Sequence, residues 1–108
     1  MRLIKSIVRP DKVDDVKDAL ARVGVSGVTI TEVRGHGRQK GRTAIYRGKE
    51  YLVSLLPKMQ VECVLADHLV EPAIEAVIKA ARTGEVGDGR VFVLPLDESY
   101  KIRTGERE

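Results

Sequence analysis

The chain is poor in the residues on which several common architectures depend. It has no tryptophan, one phenylalanine and three tyrosines among 108 residues. A single cysteine, Cys63, excludes an internal disulfide and suits a reducing compartment. No apolar run approaches the roughly 20 residues of a membrane helix. The opening MRLIKSIVRP holds too short an apolar run for a signal peptide. The two histidines, His36 and His68, stand at no metal-ligand spacing from each other or from Cys63. No Ser/His/Asp or Cys/His grouping has a defensible spacing for nucleophilic catalysis. Charge is nearly balanced, with 19 basic and 16 acidic residues and a net +3. That permits an anionic partner without demanding nucleic acid. With 43% hydrophobic residues, the expectation is one cytoplasmic domain spanning residues 1–108, with a real but small core.

Hydrophobic periodicity supplies the elements. Residues 3–9 read as a strand with Ile4, Ser6 and Val8 on one face and Leu3, Lys5 and Ile7 on the other. Asp11 is then placed as a helix N-cap. Val13, Val16, Leu20 and Val23 recur at helical spacing, and Gly24 is placed to end that helix in a left-handed conformation. Residues 27–33, GVTITEV, are β-branched and read as a strand. KMQVECVL, residues 58–65, alternates, with Met59, Val61, Cys63 and Leu65 on one side and Lys58, Gln60, Glu62 and Val64 on the other. A second helix carries Val70, Ala73, Ile74, Val77, Ile78 and Ala81 on one stripe. Asp67 is its candidate cap, Pro72 falls in its first turn and Gly84 is placed at its end. Residues 90–96 form a final strand. The order is that of the α+β, ferredoxin-like βαββαβ sandwich. Its second sheet face, with Ile7, Val64 and Leu3 beside Lys58 and Glu62, lacks a covering layer, as expected of an oligomer or a partner surface.

Between the second and third strands lies GHGRQKGRTAIYRGKEY, residues 35–51, with four glycines, five basic residues and one acid. A hairpin needs only about two to five residues there. Structureless loops beyond roughly 12–15 residues are usually functional or disordered. Gly35, Gly37 and Gly41 free the backbone at its start, Arg38 and Lys40 add charge, and the Gln39 amide oxygen is a hard ligand of the kind Mg²⁺ accepts. A solvated loop is the plainer reading of the same residues. Tyr46 and Tyr51 flank the tip, where aromatics bury little and suggest contact or modification.

A second glycine cluster, TGEVGDGR, occupies residues 83–90. It reads either as a helix end followed by a turn or as an anion-binding nest completed by Arg90. The GK[ST] of a Walker A loop is absent. Lys58 and Glu62 share a strand face, which alone is an ordinary solvated face. Lys101 and Arg103 alternate in a tail read as extended, where they could reach one anion together or simply belong to a solvated terminus. Cys63 falls on the apolar side of its strand and reads as a buried structural thiol.

Taken together, EVRGHGRQKG, YRGKEY, LPK, AARTGEVGDGRVFVLP and IRTGE resemble, in order and spacing, the PII nitrogen-regulatory signal-transduction family of GlnB and GlnK type. The resemblance covers the whole chain. It implies a non-enzymatic homotrimer that binds ATP or ADP between subunits. Adenine and ribose would lie around Ile7, Thr29, Glu62 and Val64. The nucleotide site would also take in Gly35, Gly37, Arg38, Gln39, Gly87, Asp88, Gly89 and Arg90, with Lys101 and Arg103 reaching in from a neighbour. With Mg²⁺ on Gln39, 2-oxoglutarate would be held by Gly37, Gln39, Lys40, Gly41 and Lys58. Residues 37–56 would be the T-loop, which engages targets such as an ammonium channel, a modifying enzyme or metabolic enzymes, with Arg47 as an anchor. A membrane would be approached only through such a channel. Tyr51 matches the tyrosine nucleotidylylated in some bacteria, and residues 97–108 form the C-terminal tail. His36 replaces a bulkier apolar residue of the family, Lys101 replaces an arginine, and Lys49 stands where cyanobacterial relatives carry a phosphorylated serine.

Two other classes fit the residues less well. A phosphohydrolase of acylphosphatase type shares the element order but needs a phosphate cradle near the N-terminus, and no such motif is present. An RNA-recognition module needs exposed aromatics on the central strands, and none lies in residues 58–65.

Overall fold

The structure, a computed structural model, describes residues 1–35, 42–46, 49–53 and 55–108, the short strands within 42–53 by their backbone alone. Among the described residues, six strands and two helices run in the order β1 (Arg2–Val8), α1 (Val13–Arg22), β2 (Thr29–Gly35), β3 (Arg42–Tyr46), β4 (Lys49–Val53), β5 (Leu56–Leu65), α2 (Val70–Ala81) and β6 (Gly89–Pro95). Strands β1, β2, β5 and β6 form one antiparallel sheet in the order β2-β5-β1-β6. That is the ferredoxin-like arrangement expected from the sequence. The insertion between β2 and β5, read as a loop, carries a hairpin of its own, β3 paired with β4.

The two faces follow the period-2 pattern. Ile4, Ser6 and Val8 of β1 and Val61, Cys63 and Leu65 of β5 are buried beneath the helices. Val16, Ala19 and Leu20 of α1 and Ala73, Val77 and Ala81 of α2 meet them from above. Fully burying one such aliphatic side chain stabilises by about 1.5–3 kcal/mol, so this face supplies most of the driving force for folding. The Cys63 thiol is buried and its pKa is raised by desolvation, as suits a structural thiol. The Ser6 hydroxyl is buried in the same layer without a hydrogen-bond partner among the described residues.

The other face has no covering layer among the described residues. Register places Val64, Leu3 and Leu94 in one row and Glu62, Lys5 and Phe92 in the next. Val64, Phe92 and Leu94 are each about two-fifths exposed.

The helix ends are partly as expected. Gly24 takes φ +101°, its N–H bonds to Ala21 O and the Val25 N–H bonds to Leu20 O, closing α1 in a Schellman motif. Asp11 and Asp67 do not cap the helices. Each lies inside a single 3₁₀ turn, Pro10–Lys12 and Asp67–Leu69, that precedes its helix, so α1 and α2 start later without a side-chain cap. Pro72 is the third residue of α2, in the first turn, where its missing N–H costs nothing. α2 stops at Ala81, and Gly84 belongs to the following loop.

Candidate functional site

The glycine-rich loop between α2 and β6 folds around Asp88. One carboxylate oxygen of Asp88 accepts the backbone N–H groups of Thr83 and Gly84, both at 2.8 Å. The other accepts the Thr83 hydroxyl and, at 3.1 Å, the Nε–H of Arg9. Thr83 Oγ1 in turn accepts the Glu85 N–H at 3.1 Å. The Thr83 hydroxyl foremost, then the Thr83 and Gly84 N–H groups and Arg9, hold the Asp88 carboxyl well below the usual carboxylate range, although partial burial opposes them. The turn reading of this segment is therefore correct as far as its local structure goes.

Arg9 reaches this loop because of strand register. Val8, the last residue of β1, lies opposite Gly89 on β6 and Met59 on β5. Pro10 follows, which favours an extended Arg9, observed at φ −63° and ψ 145°. The next side chain off the sheet therefore stands beside Asp88. Its Nη2 also donates to Val86 O at 3.0 Å. From the β5 side, Lys58 Nζ donates to Gly87 O.

Close approach explains one glycine in particular. Gly89 has φ +107°, and a Cβ there would lie 1.7 Å from Ile7 O and 2.8 Å from Ile7 C. Only glycine lets β6 start this close to β1. Gly84 and Gly87 also have positive φ, at +91° and +102°.

The orientation of two peptide groups follows. In a trans peptide the C=O of one residue and the N–H of the next point in opposite directions. With Val86 O drawn to Arg9 and Gly87 O drawn to Lys58, the Gly87 N–H points away from Arg9 and the Asp88 N–H points away from Lys58. Neither N–H is hydrogen-bonded among the described residues. Two successive N–H groups without an acceptor among the described residues, next to the exposed Arg90, are a donor set of the kind that suits an anion such as a phosphate.

The structure gathers several of the expected site residues and leaves others apart. Ile7, Thr29, Glu62 and Val64 share the open sheet face, with Thr29 opposite Glu62 and Ile7 opposite both Gln60 and Arg90. The Gln60 amide donates to the Glu62 carboxylate. Gly35 ends β2 beside Lys58, whose Cγ is 3.8 Å from where a Gly35 Cβ would sit. Lys101 and Arg103 are not in an extended segment. The tail folds on itself through Lys101 N–H to Glu106 O, Gly105 N–H to Lys101 O and Glu108 N–H to Ser99 O, and Lys101 Nζ pairs with Glu108 at 3.3 Å. No described hydrogen bond or ion pair joins either residue to the glycine loop. Gly37, Arg38, Gln39, Lys40, Gly41 and Arg47 lie outside the described residues, as does His36. Tyr51 is described by its backbone, in β4 opposite Ala44. Among the described residues no group of three or more His, Cys, Asp or Glu could hold a metal, so a Mg²⁺ site would depend on Gln39 and on ligand oxygens. No helix among the described residues is long and apolar enough to cross a membrane. Arg9 and Thr83 were not singled out from the sequence. The only signal for them was an arginine ahead of a proline at a strand end, whose importance depends on a partner 79 residues away.

Comparison with known proteins settles the family. The family model described as nitrogen regulatory protein P-II matches residues 1–106. The chain belongs to the P-II family. It is 54% identical over 107 residues to the nitrogen regulatory protein P-II of Azospirillum brasilense, covering 99% of this chain and 96% of that one. It is 53% identical over 107 residues to the P-II protein of Rhodospirillum rubrum, with the same coverage. It is 52% identical over 106 residues to that of Haemophilus influenzae, covering 98% and 95%. P-II proteins are regulatory signal-transduction proteins rather than enzymes, so this chain has a signalling role in nitrogen regulation.

Proposed function

We propose that this P-II protein senses ATP or ADP together with 2-oxoglutarate, as a homotrimer, and relays their levels to protein targets through residues 37–56. The observation that carries the reading is the bond from Lys58 to the Gly87 carbonyl. It puts the residue expected to bind the dicarboxylate against the loop expected to bind phosphate. The donor set supports the nucleotide: outward N–H groups of Gly87 and Asp88, with Arg90 beside them, suit a polyphosphate. The Asp88 carboxylate is occupied by its own loop, so its contribution would come through the backbone. Ile7, Val64 and the Thr29–Glu62 pair offer apolar and polar surface on the open face for adenine and ribose. Gln39 would hold Mg²⁺ through its amide oxygen, the metal supplying positive charge to the anionic ligands, and Lys58 would pair with a carboxylate of 2-oxoglutarate. The row of half-buried Leu3 and exposed Val64 and Leu94 supports burial against other copies. The regulated partner would be a nitrogen-metabolism protein such as an ammonium channel.

Effectors move such a loop only by binding its states unequally. ATP and 2-oxoglutarate must then raise each other's affinity by the same factor. Calorimetric titration with ATP·Mg²⁺, with and without 2-oxoglutarate, tests this. The expected result is 2-oxoglutarate binding that requires ATP·Mg²⁺. Absence of 2-oxoglutarate binding at saturating ATP·Mg²⁺ refutes the dicarboxylate role of Gln39 and Lys58. Rapid, saturable release of phosphate would instead favour a hydrolase.

A further inference from the structure

We infer that Arg9 is a positioning residue for the phosphate-binding loop: it fixes the Val86–Gly87 peptide and the Asp88 carboxylate so that the loop N–H groups face outward. The inference rests on the nucleotide reading of the site and adds a residue on a different strand to it.

The geometry is specific. One guanidinium spans two acceptors of the loop, Asp88 Oδ1 at 3.1 Å and Val86 O at 3.0 Å. Its side chain is four-fifths buried, so the bond to Asp88 is shielded from water and stronger than a surface pair. The Asp88 carboxylate meanwhile gathers Thr83 and Gly84 at the other end of the loop. Arg9 therefore ties both ends of the turn to the end of β1, the central strand beside β6. Without it, the Val86 carbonyl loses its partner and the 86–87 peptide is free to rotate. Rotation would carry the Gly87 N–H out of the nest, in a segment whose two glycines at 84 and 87 resist it little. Arg9 itself makes no contact with the nucleotide. A lysine could not replace it fully, since one ammonium cannot reproduce a fork that holds a carboxylate and a carbonyl together.

The test is calorimetric titration of ATP into the full chain and into Arg9→Met and Arg9→Lys. Adenosine binding is followed in parallel by ligand-observed NMR, and the unfolding midpoint of each ligand-free variant is measured. Arg9→Met is expected to weaken ATP about tenfold, the effect of one charge-assisted bond of about 1.4 kcal/mol, and to leave adenosine binding unchanged. Arg9→Lys is expected to fall between the two. A merely structural arginine would lower the unfolding midpoint without separating ATP from adenosine. Equal ATP affinity in wild type and Arg9→Met, or equal loss of ATP and adenosine, overturns the inference. Should Arg9→Met not fold, Arg9→Lys decides: wild-type ATP affinity in that variant overturns it too. Wild type that binds no ATP refutes the nucleotide reading itself, and the positioning role falls with it.

Discussion

Replacing Gly89 with alanine tests how tightly this site is tied to the sheet. Two costs combine there. The first is backbone strain, because φ is +107° and an L-residue in a left-handed conformation costs about 1–2 kcal/mol. The second is overlap. The new Cβ would sit 1.7 Å from the Ile7 carbonyl oxygen, so β6 must retreat by more than an ångström. The atom it strikes is main chain of the neighbouring strand and cannot swing aside as a flexible side chain would. Retreat loosens the pairing of Val8 with Gly89 and of Ile7 with Arg90. Each ladder hydrogen bond lost is worth about 0.5–1.5 kcal/mol net. The expected total is about 3–5 kcal/mol, a large part of the roughly 5–15 kcal/mol that holds a domain folded. Gly24→Ala is the matched control: φ is +101°, and a Cβ there meets nothing within 4 Å. Urea denaturation of both variants at one fixed protein concentration gives the two free energies. Gly89→Ala should be the more destabilised by at least about 2 kcal/mol, which is the ladder and overlap contribution alone. If the two variants lose the same amount, the close approach of β6 to β1 is not what requires glycine, and the reasoning fails.

Three other outcomes follow from the same chemistry. Ser6→Ala removes a buried hydroxyl that has no partner among the described residues, so urea denaturation should show equal or higher stability, by up to about 1 kcal/mol; a loss of more than that would mean the hydroxyl is bonded. The Asp88 carboxyl has a folded pKa below its unfolded value, so its contribution is fully present above the ordinary aspartate value near 3.9 and is lost as pH falls below it toward the folded value. Stability measured from pH 6 to pH 2 should therefore fall more steeply in wild type than in Asp88→Asn, and parallel curves would contradict the assignment. Lys58→Ala should abolish 2-oxoglutarate binding in calorimetry and weaken ATP by no more than about tenfold, the effect of freeing the Gly87 carbonyl. Equal loss of both ligands would confine Lys58 to holding the loop and remove its dicarboxylate role.

How much of this was legible in the sequence depended on whether the signal was periodic. Ile4, Ser6 and Val8, and Val61, Cys63 and Leu65, could be assigned to one face because strand side chains alternate and nothing else needs to be known. Gly24 was equally legible, since a glycine after a helical stripe closes it by a local rule. Asp11 and Asp67 misled because a cap-forming residue ahead of a stripe does not reveal a 3₁₀ turn in between. Asp67 lies instead 3.7 Å from the Arg2 guanidinium. Gly84 misled for a related reason: Asp88 takes up the N–H groups of Thr83 and Gly84, and the chain leaves the helix before reaching the glycine. The tail was read as extended because its closure depends on pairings such as Lys101 with Glu108 and Tyr100 with Arg107, which no local pattern announces. Arg9 is the least legible residue of the site. Its meaning comes from Val8 lying opposite Gly89, which sets Arg9 beside Asp88, 79 residues away, and strand register of that kind is a tertiary fact.

The same register explains why distant parts of the chain meet at one point. β1 is central in the sheet, with β5 on one side and β6 on the other. Its last residue, Val8, faces Met59 and Gly89 together. Whatever precedes β5 and whatever precedes β6 must therefore converge at the end of β1. The first is the long basic insertion, residues 35–51, and the second is the glycine loop. Lys58 stands two residues inside β5 and reaches the Gly87 carbonyl, so a single side chain links the root of the insertion to the loop. Arg9 holds that loop from below through Val86 and Asp88. A ligand that turned the Gly87 peptide would have to break the Lys58 bond or displace the root of the insertion with it. That short physical path is the one along which the proposed sensing would couple the glycine loop to the root of the insertion, and Lys58→Ala, which cuts it, is the variant that tests the coupling.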